Sequence, residues 1–301
     1  EQYSLSPDSI LSRNLSLALP LVDENTRYIV MPESALQEDI WEGAFNNSFT
    51  IQRLYNKVRE YNNLNIITGA TTYKMIGRGE KMNNAARKFS KVDKYYYAYN
   101  TALFIDKSGM LQTHHKSKLT PGVEIMPSWG ILKPIESLAI DLGGTTGTLG
   151  RDKEAVVFYD KDSIGSSPII CYESIYGEFV TNTIKRGGEL IFVITNDGWW
   201  GNTPGHKQHL SYSSLRAIET RRWVARSANT GISAFINERG DILQQTKYWE
   251  ADVLKHTVKA NSELTYYVKN GDYIASTSAY ISILVFLIAF TQGFLRKKRG
   301  Y

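Results

Sequence analysis

From Tyr273 to Leu295 the chain runs for 23 residues without a charged side chain or a histidine, and this stretch constrains its fold more than any other feature. About 20 apolar residues in a helix cross the hydrocarbon of a bilayer. Arg296, Lys297, Lys298 and Arg299 follow at once, Lys269 and Asp272 precede the stretch, and Tyr266, Tyr267 and Tyr273 stand where interfacial aromatic residues are expected. The sequence predicts one transmembrane helix over 273–295, a basic cytoplasmic tail at 296–301, and residues 1–270 as a domain on the outer side of the membrane. The alternative is a buried C-terminal helix of the globular domain. Ser276, Thr277 and Ser278 weaken the first turns of such a span without charging them.

The same basic run explains the charge balance. Lysine and arginine number 35 against 30 acidic residues, for a net charge of +5. Without those four residues the body is nearly neutral, so a polyanion-binding surface and a nucleic-acid partner are not expected. With 301 residues, 42% apolar and 22% charged, the chain can bury a large core unaided. Cys171 is its single cysteine, so no intramolecular disulfide is possible. Such a thiol is either a small buried hydrophobe or a chemically used group. Residues 1–14 are polar, with neither a basic nor an apolar region of a signal peptide, so export is expected to depend on residues upstream of Glu1.

Between the ends, helix and strand alternate. Leu11, Leu15, Ala18, Leu19 and Val22 have helical spacing, and a second helix is predicted over 49–61. Short apolar strands are predicted at 28–31, 64–70, 156–159, 168–171, 190–196 and 231–237, with a hairpin of 96–106 and 110–115. Further helices are predicted at 176–186 and 209–226. Strands interleaved with helices indicate α/β layers. Segments 74–94 and 121–151 break the rhythm and have the length of binding loops or lids.

Three polar residues end predicted strands, where an α/β sheet presents reactive groups. They are Glu33 after Met31-Pro32, Lys116 after His114-His115, and Cys171 after Ile169-Ile170. Each alone has a structural explanation: a charge at a helix start, a solvated cation, a core filler. Together they suit acyl transfer, in which a thiol needs a base, an oxyanion needs positive charge or N–H donors, and the leaving group needs a proton.

The words Met31-Pro32-Glu33-Ser34-Ala35, Lys116-Ser117-Lys118-Leu119-Thr120-Pro121-Gly122-Val123-Glu124 and Ile170-Cys171-Tyr172-Glu173-Ser174 resemble the Glu, Lys and Cys motifs of the nitrilase superfamily. Tyr99-Asn100-Thr101-Ala102, Thr195-Asn196-Asp197-Gly198-Trp199-Trp200-Gly201 and Arg226-Ser227-Ala228-Asn229 extend the resemblance, and with the terminal helix they point to its apolipoprotein N-acyltransferase branch. That resemblance implies an α/β fold, a nitrilase-like α-β-β-α sandwich followed by one C-terminal transmembrane helix. It implies Cys171 as nucleophile, Glu33 as general base and acid, and Lys116 as oxyanion partner helped by the Tyr172 backbone N–H. Glu124, Tyr172, Glu173 and Asn100 would support them. The implied partners are a phospholipid acyl donor, a diacylglyceryl apolipoprotein acceptor and the bilayer. The implied location is the bacterial inner membrane, with the catalytic domain on the periplasmic side. Family members open with a bundle of membrane helices and a first strand, both expected to be missing here.

Thiol chemistry of this kind needs no cofactor or metal. The pairs His114-His115 and His206 with His209 have no completing acidic or thiol ligand in the sequence, so no metal site is expected. Gly143-Gly144-Thr145-Thr146-Gly147-Thr148 lacks the ending of a phosphate loop and is expected to be a plain loop. Trp129, Ile131 and Leu132, together with Trp199 and Trp200, are read either as ordinary packing or as the substrate-binding lining of an acyl-chain entry. Two rivals stand beside the acyltransferase: a membrane-tethered amidohydrolase with water as acceptor, and a non-enzymatic binding shell.

Overall fold

The computed structural model of the chain describes residues 5–125 and 148–298. Among the described residues, two six-stranded sheets each take their strands from one half of the sequence. The first contains β1 (Tyr28–Val30), β2 (Leu36–Trp41), β3 (Asn65–Met75), β4 (Arg87–Lys88), β5 (Tyr95–Ile105) and β6 (Leu111–His115), with antiparallel β3 and β5 at its centre. The second runs in sequence order through β7 (Phe158–Tyr159), β8 (Gly165–Ile170), β9 (Leu190–Asn196), β10 (Val224–Asn229), β11 (Ala234–Ile236) and β12 (Ile242–Gln245), with β8, β9 and β10 parallel.

Alternation along these strands makes the layers. Ile66, Leu103 and Ile105 face helices α1 (Pro7–Ala18) and α2 (Phe49–Arg59), whereas their neighbours Ile67, Ala102 and Phe104 meet Ile170, Phe192 and Ile194 of the other sheet. On the far side Ile169, Ile191 and Val193 pack under α3 (Gly177–Lys185), α4 (Pro204–Thr220) and α5 (Tyr266–Asn270). Three apolar cores therefore separate four layers in the order α-β-β-α, as the family resemblance implies.

The helices start where side chains can satisfy their free N–H groups. Ser6, Ser48, Thr203 and Thr265 cap α1, α2, α4 and α5, and proline occupies the first turn of α1 and α4. The predicted helix over 209–226 is corrected at its end. Arg221 turns left-handed at φ 54° and stops α4, the buried Arg222 guanidinium binds the carbonyls of Gly188, Thr220 and Glu263, and residues 224–229 become β10. A parallel strand buried on both faces lacks polar alternation, so its apolar residues continued the helical spacing.

Segment β2 was not anticipated. Both β1 and β2 pair in parallel with the same edge of β3, β1 opposite Asn65, Ile66 and Ile67, and β2 from Ala70 to Tyr73. They form one strand interrupted at residues 31–35, and Glu33 lies in that interruption. Beyond the domain, α6 (Tyr273–Lys298) begins at Asp272, whose Oδ1 accepts from Ala275 N–H. Its Tyr273–Leu295 stretch has a mean hydropathy of 2.0, none of the most apolar window is buried, and its length of about 34 Å suffices to cross a bilayer. That exposure counts against the alternative of a buried core helix.

Candidate active site

Three backbone devices bring the predicted groups together. The first is the interruption carrying Glu33. Ser34 adopts φ 56°, and Gly69 on β3 passes so close beneath that a Cβ there would lie 2.7 Å from Glu33 Cα. Only glycine allows that approach. The second is the exit of β6, where Lys116 N–H still bonds the Asn100 carbonyl at 2.8 Å before the chain turns. The third is the exit of β8, where Cys171 takes φ 50° and opens the short 3-10 helix Cys171–Ile175. A non-glycine residue in this region is uncommon and strained, and such strain gathers at functional sites.

Lys116 is 1% exposed and sits among carboxylates. Its Nζ is 3.4 Å from Glu33 Oε1 and 2.9 Å from Glu124 Oε2. Asn100 Nδ2 donates to Glu33 Oε1 at 2.6 Å and to Glu124 Oε1 at 2.9 Å, while Asn196 N–H donates to Glu33 Oε2 at 2.8 Å and Thr120 N–H to Glu124 Oε2 at 2.8 Å. Burial alone would strip the proton from such an amine. The charges of Glu124 and then Glu33 outweigh it and hold Lys116 well above the ordinary lysine value. Glu124 in turn is held below the usual carboxylate range against its burial, mainly by Lys116.

Cys171 is partly buried. Burial, and then the charge of Glu33, push its thiol up to about 12, against the opposing pull of Lys116 and a hydrogen bond with Thr195. Burial and the Glu33 charge both favour the protonated thiol, so attack through this sulfur would need a neighbour to take the proton. Glu173, fully buried, joins the two sheets at this point: Ser117 N–H donates to Oε1 at 2.6 Å, Ile170 N–H to Oε2 at 2.8 Å, and His114 Nε2 lies 3.2 Å from both oxygens. Tyr172 packs its ring edge-on against Tyr176 at 5.4 Å. Its N–H lies in the first turn of the short helix, where N–H groups have no intrahelical acceptor.

The aromatic candidates fare differently. Trp200 is 41% exposed and its ring covers Gly205 in the first turn of α4. Trp129, Ile131 and Leu132 lie outside the described residues, as do residues 143–147 of the glycine-rich loop and the Trp199 side chain.

Two clusters were missed by the sequence reading. Beneath Cys171, Asp197 binds Arg226 at 2.6 Å and His209 Nδ1 at 2.8 Å, and these partners overcome burial to bring it to about 2. Beside Lys116, the His115 ring lies between Glu42 at 2.6 Å and Asp152 at 3.0 Å, stacked on Tyr99 at 3.9 Å. Burial would depress His115, but Asp152 and Glu42 raise it to about 9. A raised value contributes stability that is complete below the unfolded pKa near 6.5 and is lost as pH climbs through 9. Unfolding free energy is therefore expected to drop by about 3 kcal/mol between pH 6.5 and 9.5. Denaturant titrations across that range should show the drop, and His115→Gln should flatten it; an identical slope in the variant would refute the assignment.

The comparisons with known proteins agree with this fold. The carbon-nitrogen hydrolase family profile matches residues 2–266. The chain belongs to the carbon-nitrogen hydrolase family. Within it, the chain is 29% identical over 294 residues to the apolipoprotein N-acyltransferase of Chlorobaculum tepidum, covering 95% of this chain and 53% of that one. It is 35% identical over 171 residues to the apolipoprotein N-acyltransferase of Agrobacterium fabrum, covering 54% and 31%. The chain thus spans about half, or less, of the length of these relatives. Among solved structures, the crystal structure of Saccharomyces cerevisiae Nit3, a member of branch 10 of the nitrilase superfamily, superposes with a TM-score of 0.57 at 17% identity, covering 82% of this chain and 83% of that one. That likeness concerns the family fold.

Proposed function

We propose that the chain is the catalytic part of a membrane N-acyltransferase that moves an acyl chain from a phospholipid, through a thioester on Cys171, to the α-amine of the lipidated N-terminal cysteine of an apolipoprotein. The observation that carries this reading is the buried ammonium of Lys116 between Glu33 and Glu124, its charge felt by the only thiol. The similarity to apolipoprotein N-acyltransferases and the exposed apolar helix support the lipid substrates.

In the first half-reaction Glu33 takes the thiol proton and the sulfur attacks the ester carbonyl. Negative charge develops on the carbonyl oxygen beside Lys116 and the Tyr172 N–H. The C–O bond then breaks, and Glu33 returns its proton to the departing lysophospholipid alkoxide. In the second half-reaction the amine attacks the thioester, Glu33 takes an N–H proton, and collapse releases the amide and the thiolate, which recovers that proton. Asn100 and the Asn196 N–H keep Glu33 oriented throughout.

Helix α6 would hold this site beside the inner membrane, with the catalytic domain on the periplasmic side. Mass spectrometry of the complete protein mixed with phospholipid alone is expected to find Cys171 heavier by one acyl chain. An unmodified thiol under turnover conditions would rule the scheme out. Release of free acid from small amides in the absence of any lipid would favour the water-accepting amidohydrolase.

A further inference from the structure

The peptide joining Cys171 to Tyr172 is held through its carbonyl. That oxygen accepts from Ser174 Oγ at 2.8 Å and lies 3.1 Å from Nε2 of His209, a 3% exposed residue on α4. The other ring nitrogen, Nδ1, is 2.8 Å from Asp197 Oδ1, and Asp197 is itself fixed by Arg226 at 2.6 Å and Thr195 Oγ1 at 3.1 Å. A carbonyl oxygen can only accept, so Nε2 donates toward Cys171, with Ser174 Oγ also 3.0 Å away, while Nδ1 sits between Asp197 Oδ1 and Arg226 Nη2 at 3.2 Å. The result is a buried line from Arg226 through Asp197 and His209 to the Cys171 carbonyl.

A trans peptide is planar, and its C=O and N–H point in opposite directions. A carbonyl drawn toward His209 and Ser174 therefore turns the Tyr172 N–H away from that buried pair. Hydrogen bonds accepted at the carbonyl also polarise the peptide and strengthen its N–H as a donor.

We propose that His209 is a positioning residue which, by fixing the Cys171 carbonyl, aims the Tyr172 N–H at the oxyanion. The inference rests on Cys171 being the acyl-accepting nucleophile. It separates two properties of the thiol. Acylation develops an oxyanion and needs the N–H. Alkylation by iodoacetamide displaces iodide at a saturated carbon and develops none.

The test uses the complete protein in detergent, with the p-nitrophenyl ester of a fatty acid as acyl probe and iodoacetamide as alkylating probe. His209→Ala is expected to slow the p-nitrophenolate burst roughly 10- to 100-fold, less than the roughly 10²–10³-fold cost of removing an oxyanion donor outright, while alkylation stays within about twofold of wild type. His209→Gln, whose amide can donate toward the carbonyl, should recover most of the burst rate. Ser174→Ala, a small change that removes the second donor to the same carbonyl, should show the same selectivity with a smaller loss. Parallel slowing of acylation and alkylation would mean that His209 merely props the backbone, and an unchanged burst in His209→Ala would mean that it does nothing there. Either result overturns the proposal. Absence of a burst in the wild type would instead overturn the acyl-enzyme reading itself, before any variant is compared.

Discussion

Lys116→Met is expected to damage stability and chemistry together, and to reverse the pH dependence at this site. In the wild type the ammonium pairs with two carboxylates that share Asn100 Nδ2. Breaking a buried ion pair by removing one partner typically costs about 3–5 kcal/mol, because the remaining charge stays buried and uncompensated. The depressed Glu124 contributes stability above its unfolded pKa near 4.5, which is lost as pH falls. Without the cation, burial and the neighbouring carboxylate push Glu124 upward instead, so the variant should gain stability as pH falls from 7 to 5. Thermal unfolding at pH 7, 6 and 5 should show that rise in the variant, where the wild-type contribution of Glu124 is nearly flat because its loss begins only below pH 4.5. Acyl-Cys171 formation should also slow by roughly 10²–10³-fold through loss of oxyanion stabilisation. A variant as stable as wild type at pH 7, with an unaltered acylation rate, would remove Lys116 from the site.

Glu33→Gln should cost still more activity. A thiol titrating near 12 is ionised to only about one part in 10⁵ at pH 7, so attack depends on a group that takes the proton as the bond forms. Glutamine cannot. It also fits poorly, because Asn100 Nδ2, Lys116 Nζ and Asn196 N–H all donate to the Glu33 oxygens, and an amide NH₂ must face one of those donors. A stability loss of about 1–3 kcal/mol is expected from that mismatch. Acylation should fall by roughly 10⁴-fold, then rise about tenfold per pH unit as hydroxide replaces the missing base. A pH-independent residual rate, or a wild-type rate, would show that Glu33 is not the proton acceptor.

Much of this site was legible because its groups are chemically conspicuous at the ends of apolar strands. Glu33 and Cys171 follow apolar stretches and Lys116 follows the second strand of the predicted hairpin, and a parallel or mixed sheet leaves such positions at one rim. What escaped was information that does not travel along the chain. Leu36–Trp41 carries Gln37, Glu38 and Asp39 in its middle, so nothing marks it as a strand until β3 supplies a partner edge. Residues 224–229 kept the helical apolar spacing, and only the left-handed Arg221 marks the break. Asp197 and Arg226 are 29 positions apart, and no spacing rule pairs them. His209 was weighed with His206 as a metal ligand. His206 instead stacks on Tyr248 at 3.9 Å, and His209 lies 3.1 Å from the Cys171 carbonyl.

The division of strands between the sheets has a consequence for how the molecule acquires its reactivity. Glu33, Lys116, Asn100 and Glu124 all come from the first 125 residues, whereas Cys171, Glu173 and the Asn196 N–H come from the second half. Neither half alone holds both Glu33 and Cys171. In the proposed mechanism a nascent or partly folded chain with only one sheet formed would carry the thiol without Glu33, or Glu33 without the thiol. On the proposed reading, docking of the two sheets over Phe104, Phe158 and Phe192 is thus the event that would bring base and thiol together. Until then the proposed nucleophile would lack Glu33, and incompleteness would guard it from premature acylation by lipid esters.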